Sequence, residues 1–416
     1  MNSRGAFVAV GLAVNLLVLA RGVILMLALG YADLGLVALV QAAVTFTGLL
    51  HFGLLNGGYR LLCHAGARTQ QRIIDLAYTA FAGIAAGVSL AALGLALTLE
   101  DAVLRAVAGL AAIGGVATLL RAWIMNELVA RQRLRAANRI NAVSIAASLA
   151  VLALLLPGAS PLAPALIAVG AIVVQPVLFA ALALATGAAM RPRSLRAPRR
   201  LARIIFKAGF VLFLTGLAIQ FMTLVERAYV SGELGLEPLG RLYLSFLFLT
   251  LFQMVPNLVQ QVFLPAMVRH WKARDASAVS RELRALLGLT AAYCLAAALA
   301  LWIAAEPLLT IILPDYVPDL RWVYILTPGL IAFALSGPFA LTFNVVIDYR
   351  WYLIAYGAGV AVTLAAFGAA LAMVSPLNLD QVIALRSGVY ALMAALLVLG
   401  WWRLSARSPE FRLLPS

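Results

Sequence analysis

Apolar residues come in twelve long runs along this chain, beginning near residues 6, 34, 75, 103, 140, 162, 208, 239, 285, 322, 351 and 381, with charge, proline or glycine at their margins. Each approaches the roughly 17 to 25 residues that an α-helix needs to cross a bilayer. Helix is the expected form, because in hydrocarbon every backbone N–H and C=O must be satisfied within its own segment. The pattern predicts an all-α integral membrane protein with twelve transmembrane helices.

Composition agrees. Of 416 residues 64% are hydrophobic and 11% charged, and mean hydropathy is +1.01, outside the range of a soluble domain. Arg60, Arg68 and Arg72, the run Arg131 to Arg139, the run Arg191 to Lys207, Arg269 to Arg284 and the tail after Arg403 all fall on one side of the spans. Glu100, Asp101, Glu306 and Asp315 fall on the other. The positive-inside rule then places both termini in the cytoplasm. The net charge of +15 lies mostly in short loops beside spans, where topology and anionic membrane lipids account for it; nucleic acid is not an expected partner. Asn15 and Arg21 interrupt the first run and no small-residue cleavage site follows, so this run reads as a retained span and not a signal peptide. Cys63 and Cys294 fall in an inner loop and a span, where no disulfide is expected.

The chain also repeats. Shifting the first half by 205 residues pairs Gly11 with Gly216, Asn15 with Gln220, Arg21 with Glu226, Gly22 with Arg227, Gly35 with Gly240 and Thr45 with Thr250. At 100° per residue, Gly11, Asn15, Val18 and Gly22 share one stripe of the first span, and Gly216, Gln220, Thr223 and Arg227 share one stripe of the seventh. Similar polar stripes hold Gln41, Thr45, Gly48 and Asn56 in the second span, flanked by His51, and Thr250, Gln253, Asn257 and Gln261 in the eighth. Such rows predict a polar cavity lined by these four spans. The expected organisation is an N-terminal six-helix lobe (1–190), a basic cytoplasmic linker (191–207), a C-terminal six-helix lobe (208–402) and a cytoplasmic tail (403–416), the lobes being parallel repeats. Pro256, Pro265, Pro328 and Pro338 mark expected kinks.

Candidate chemistry is sparse. No phosphate-binding GxxxxGK[ST] loop and no HExxH occur, and His51, His64 and His270 are scattered, so no nucleotide, metal or cofactor is expected. The longest outer loop, Glu306 to Arg321, is too short for a catalytic domain, and the chain does not read as an enzyme. What stands out is charge inside spans. An arginine at mid-bilayer costs roughly 2.5 to 3.5 kcal/mol on insertion scales, and Arg21 and Arg227 carry a planar fork suited to phosphate or carboxylate. They are the candidate receptors of an anionic substrate, with Asn15, Gln220, Gln253, Asn257 and Gln261 lining its path. Glu226 is either an ion-pair partner of Arg21 or a coupling group. Arg121 is expected to snorkel toward an interface, the alternative being that it collects substrate at the inner mouth, His51 to make a helix contact, and Trp401 and Trp402 to anchor an interface.

The stretch HFGLLNGGYRLL from His51 resembles the end of the second helix in bacterial O-antigen and lipid-linked-oligosaccharide flippases, and LGLEPLGRLYLSFLFLTLFQMVPNLVQQVFLPAMVRHW from Leu234 resembles their eighth helix. These belong to the multidrug/oligosaccharidyl-lipid/polysaccharide exporter (MOP) superfamily. Members often carry an acidic residue before the FG, where this chain has His51. The resemblance implies a fold like that of the superfamily's MATE transporters, with two six-helix lobes. It also implies flipping of a polyprenyl-diphosphate-linked oligosaccharide across a bacterial inner membrane, beside a glycan polymerase and other assembly proteins. A multidrug-type antiporter of the same superfamily is the alternative; there, acidic groups in the N-terminal lobe meet cations, and here that lobe offers Arg21.

Overall fold

Leucine, alanine and valine dominate the long runs, and with every backbone group bonded four residues back these runs close into helices. The computed structural model describes residues 3–63, 65–155, 160, 162–195, 198–373 and 375–407, with the side chains of 3–9 and of Gln261 outside that description. Described residues form α1 (Ser3–Ala28), α2 (Tyr31–Gly48), α3 (Leu54–Leu62), α4 (Ala67–Thr98), α5 (Ala102–Ala130), α6 (Leu134–Leu152) and α7 (Pro164–Ala185). They continue through α8 (Arg199–Tyr229), α9 (Leu236–Arg241), α10 (Tyr243–Lys272), α11 (Ala276–Ile312), α12 (Leu320–Val346), α13 (Arg350–Ala372) and α14 (Leu379–Arg407). Among the described residues twelve helical stretches are long and apolar enough to span a membrane, α9 running into α10 as one of them. Large apolar side chains lie on the outside, Leu97 and Ile311 at 80% exposure, the arrangement that a lipid solvent stabilises.

Internal contacts group Met1–Ser231 as one compact unit and Gly232–Ser416 as another. In the first, α2 packs on α5, α7 and α8, and α1 packs on α6. Its apolar core surrounds the fully buried Trp123, with Ile73, Leu119, Ile124 and Phe179. In the second, α12 lies along α14 and α10, and Met267, Leu283, Leu286 and Leu341 fill the space between helices.

Several boundaries differ from expectation. The second span ends at Gly48, and a turn through His51, Phe52 and Gly53 leads into α3. Phe52 and Gly53 have φ of 46° and 84°, the left-handed region that glycine tolerates and phenylalanine resists. Asn56 therefore sits on α3, off the Gln41–Thr45 stripe. The break is held by its neighbours. A Cβ on Gly53 would meet the Gly209 backbone of α8 at 2.8 Å, and one on Gly57 would collide with the Ile205 carbonyl, so α3 and α8 touch backbone to backbone, as small residues permit. In the eighth span, α10 runs unbroken through Pro256 and Pro265. Tyr31 and Leu236, the first residues of α2 and α9, keep the 205-residue spacing; beyond that start the two copies diverge.

The basic linker is partly helix: α8 begins at Arg199. Its preceding stretch is pinned to the first unit, because the Glu127 carboxylate accepts from the Met190 N–H at 2.8 Å and Asp75 accepts from the Arg193 N–H at 2.8 Å. The outer loop after the ninth span is shorter than expected, since α11 continues through Pro307 to Ile312. The tail is helical to Arg407, and residues 408–416 lie outside the described residues.

Candidate functional site

Five of the candidate residues belong to the first unit. Arg21, in α1, is 6% exposed. Its Nη1 donates to Ser148 Oγ of α6 at 3.0 Å and to Gln175 Oε1 of α7 at 3.1 Å. The Ser148 hydroxyl donates in turn to the Ala171 carbonyl of α7. Arg227, also buried, donates through Nη1 to the Ala38 carbonyl of α2. Glu226 beside it is 5% exposed. Asn15 and Gln220 are half-buried. The remaining candidates belong to the second unit, where Gln253 is half-buried and Asn257 exposed on α10. The Gln261 side chain lies outside the described residues.

Arg121 does not snorkel. It lies in α5, and from residue 121 to the helix end at Ala130 there remain about 13 Å of helix. Its guanidinium donates to Asn141 Oδ1 of α6 at 3.0 Å and sits over the Phe179 ring of α7 at 5.7 Å. The interior offers a neutral amide and a π-face closer than any interface. Its inward course differs from the favoured expectation because arginine near a span end is ordinarily an anchor; the clue was Asn141, Ser148 and Gln175, polar groups inside otherwise apolar runs.

His51 follows expectation: its Nδ1 accepts from the Gly53 N–H at 3.1 Å, and its ring meets Phe213 edge-on at 5.2 Å. Trp401 turns onto Phe339, ring centroids 4.7 Å apart, and away from an anchoring role, whereas Trp402 is 63% exposed. A buried arginine of the second unit was not among the candidates. Arg386 lies inside α14 at 7% exposure, with its Nε and Nη2 donating to the Tyr390 hydroxyl at 3.2 and 3.0 Å. It sits over the Phe246 and Tyr390 rings, and Tyr390 stacks on Phe333 at 5.0 Å.

No family model and no curated protein matches the sequence. Solved structures do. An inward-facing multidrug resistance MATE family transporter of the MOP superfamily is similar with a TM-score of 0.69 at 12% identity, covering 98% of this chain and 100% of that one. The lipid II flippase MurJ in an inward closed conformation is similar with a TM-score of 0.71 at 13% identity, covering 97% and 90%. The fold is like that of these MOP transporter structures. A MOP superfamily transporter from Pyrococcus furiosus, described as having a binding pocket of reverse polarity, matches with a TM-score of 0.57 at 14% identity over 97% of this chain and 95% of that one. These MOP structures are of transporters and a flippase. On this fold the first unit buries Arg21 and Arg227 and half-buries Arg121, a concentration of positive charge within apolar helices.

Proposed function

We propose that the protein translocates a polyprenyl-diphosphate-linked oligosaccharide from the cytoplasmic to the outer leaflet of a bacterial inner membrane by alternating access. In this reading both termini are cytoplasmic and the chain works beside a glycan polymerase and other assembly proteins. The observation that supports it is the concentration of arginines from three spans inside the first unit, Arg21 and Arg227 both buried. Guanidinium forks match the oxygens of a diphosphate, and in a poorly solvated site each charge-assisted hydrogen bond gains strength.

Asn15 and Gln220 in the first unit, and Gln253, Asn257 and Gln261 in the second, are the proposed sugar contacts, since amide side chains both donate to and accept from hydroxyls. Glu226 either pairs with Arg21 when substrate is absent or serves as a coupling group. With the cell interior negative, outward movement of an anion is favoured by about 2.3 kcal/mol per charge per 100 mV. No nucleotide is then required. Likeness to MATE multidrug transporters supports a second reading, small-molecule antiport, but a cation would meet arginines of its own sign in the first unit.

A surface-glycan assay comparing Arg21→Ala, Arg21→Lys and the swap Arg21→Glu with Glu226→Arg tests the proposal. Loss of display in Arg21→Ala, with partial recovery in Arg21→Lys, is the expected result. Full display in Arg21→Ala sinks the diphosphate role, and rescue by the swap alone assigns Arg21 to a structural ion pair. Export of cationic dyes that survives Arg21→Ala, in cells whose glycan is unaffected, supports the antiporter.

A further inference from the structure

Arg121 and Arg21 lie close enough for their positive charges to repel. Repulsion of this kind inside a helical bundle is destabilising unless something negative lies near. Arg121 meets two neutral groups, the Asn141 amide oxygen and the Phe179 ring. Beside it, Gln175 is 4% exposed; its Oε1 is taken by Arg21, while its Nε2 is buried without an acceptor. A buried amide donor without a partner costs about as much as a lost hydrogen bond and calls for an explanation. A buried amide donor that lacks an acceptor, beside two like positive charges, describes the inner wall of an anion site.

Helix geometry orders these groups into two layers. Asn141 and Ser148 stand two turns apart on α6, and Gln175 and Phe179 one turn apart on α7. Arg121, Asn141 and Phe179 make one layer, and Arg21, Ser148 and Gln175 the next. Arg121 and Asn141 are partly exposed while Arg21, Ser148 and Gln175 are buried, so the first layer is the open end. All six residues belong to the first unit.

We infer that Arg121 belongs to the binding machinery: with Arg21 and Gln175 it forms a two-layer site for a phosphate-class oxyanion, Arg121 receiving it at the open layer and Arg21 with the Gln175 amide holding it deeper. A phosphate suits this set because its several oxygens accept from forked and amide donors together. The inference deepens the reading above and rests on it only for the source of the phosphate.

Thermal unfolding of the purified full-length protein in detergent, titrated with inorganic pyrophosphate and with chloride at matched ionic strength, tests the site. Pyrophosphate is expected to raise the wild-type Tm by several degrees, with chloride giving little. Arg121→Gln keeps the length and polarity but removes the charge, and is expected to lose the pyrophosphate shift without lowering the Tm of the ligand-free protein. Gln175→Glu preserves the acceptor for Arg21 and places a carboxylate where the anion would sit. It is expected to raise the ligand-free Tm and abolish the shift, whereas a purely structural glutamine would leave the shift in place. Lys272→Gln, an exposed charge at the end of α10, controls for net charge and keeps the shift. A full pyrophosphate shift in Arg121→Gln or Gln175→Glu overturns the inference, as does an equal shift with chloride. Loss of the shift in both variants together with wild-type surface glycan keeps the anion site and removes the lipid-linked substrate as its source.

Discussion

Arg21 and Arg386 are each buried, at 6% and 7% exposure, one in each compact unit, yet their surroundings differ in kind. Around Arg21 are a hydroxyl, an amide with a spare buried donor and a second arginine. Around Arg386 are the Phe246 and Tyr390 rings and a phenol oxygen that accepts two of its donors. The second set satisfies a guanidinium with neighbours on its own helices: cation–π contact stabilises by about 0.5 to 2 kcal/mol, and the hydroxyl adds hydrogen bonds to a charged group. The first set accumulates donors. A buried charge is thus no single signal; the two guanidiniums meet different kinds of neighbour, and on the proposed reading the first is the one that receives substrate.

The largest expected effect tests that contrast directly. Arg21→Ala is predicted to reduce surface-glycan display at least tenfold with little loss of Tm, while Arg386→Met lowers Tm and leaves display within a few-fold in the same assay. Equal loss of display in both variants breaks the comparison. Next in size is the contrast between the second and eighth spans. Gly57→Val drives a side chain into the Ile205 carbonyl and is predicted to destabilise by several kcal/mol, overpacking alone costing roughly 1 to 3, read as lost monodisperse protein on size exclusion. Pro256→Ala, in a helix that runs through it, should leave Tm unchanged or higher, because interior proline costs about 3 kcal/mol relative to alanine. A destabilised Pro256→Ala would move the structural break to the second unit. Smaller still is Tyr390→Phe, which removes the oxygen accepting from Arg386 and is predicted to lower stability by about 1.5 to 3 kcal/mol, measured by thermal unfolding.

The smallest effect concerns a cap. Asp275 precedes α11, its carboxylate accepting from the Ala278 N–H at 3.0 Å and the Ser277 hydroxyl at 2.8 Å. These bonds hold its pKa below the usual aspartate range. A depressed carboxylate pKa contributes stability that is present above the unfolded value and lost as pH falls through the folded one. Asp275→Ala should therefore lower Tm slightly at neutral pH, and the gap to wild type should close in acid. A gap that persists unchanged at low pH would show that the ionised cap is not its source.

Much of the fold was legible in the residues. Hydropathy is a local sum, and hydrocarbon leaves a spanning segment little choice but helix, so twelve spans could be read without knowing any contact. Arg21 was legible for the same reason, as an isolated charge in an apolar run. The break at Gly53 was not: prolines drew attention to α10, yet the chain turns where two glycines let α3 and α8 meet.

By itself the sequence determined the class of the molecule, its span count and the presence of costly charges in the first half, because each follows from the transfer energy of a segment considered alone. Only tertiary structure decided that Arg21 meets Ser148 and Gln175, 127 and 154 residues away, that Arg121 turns inward to Asn141, and that Arg386 is wrapped in rings. Which partner a guanidinium finds depends on how helices distant in the chain pack, and no local sum of hydropathy contains that information.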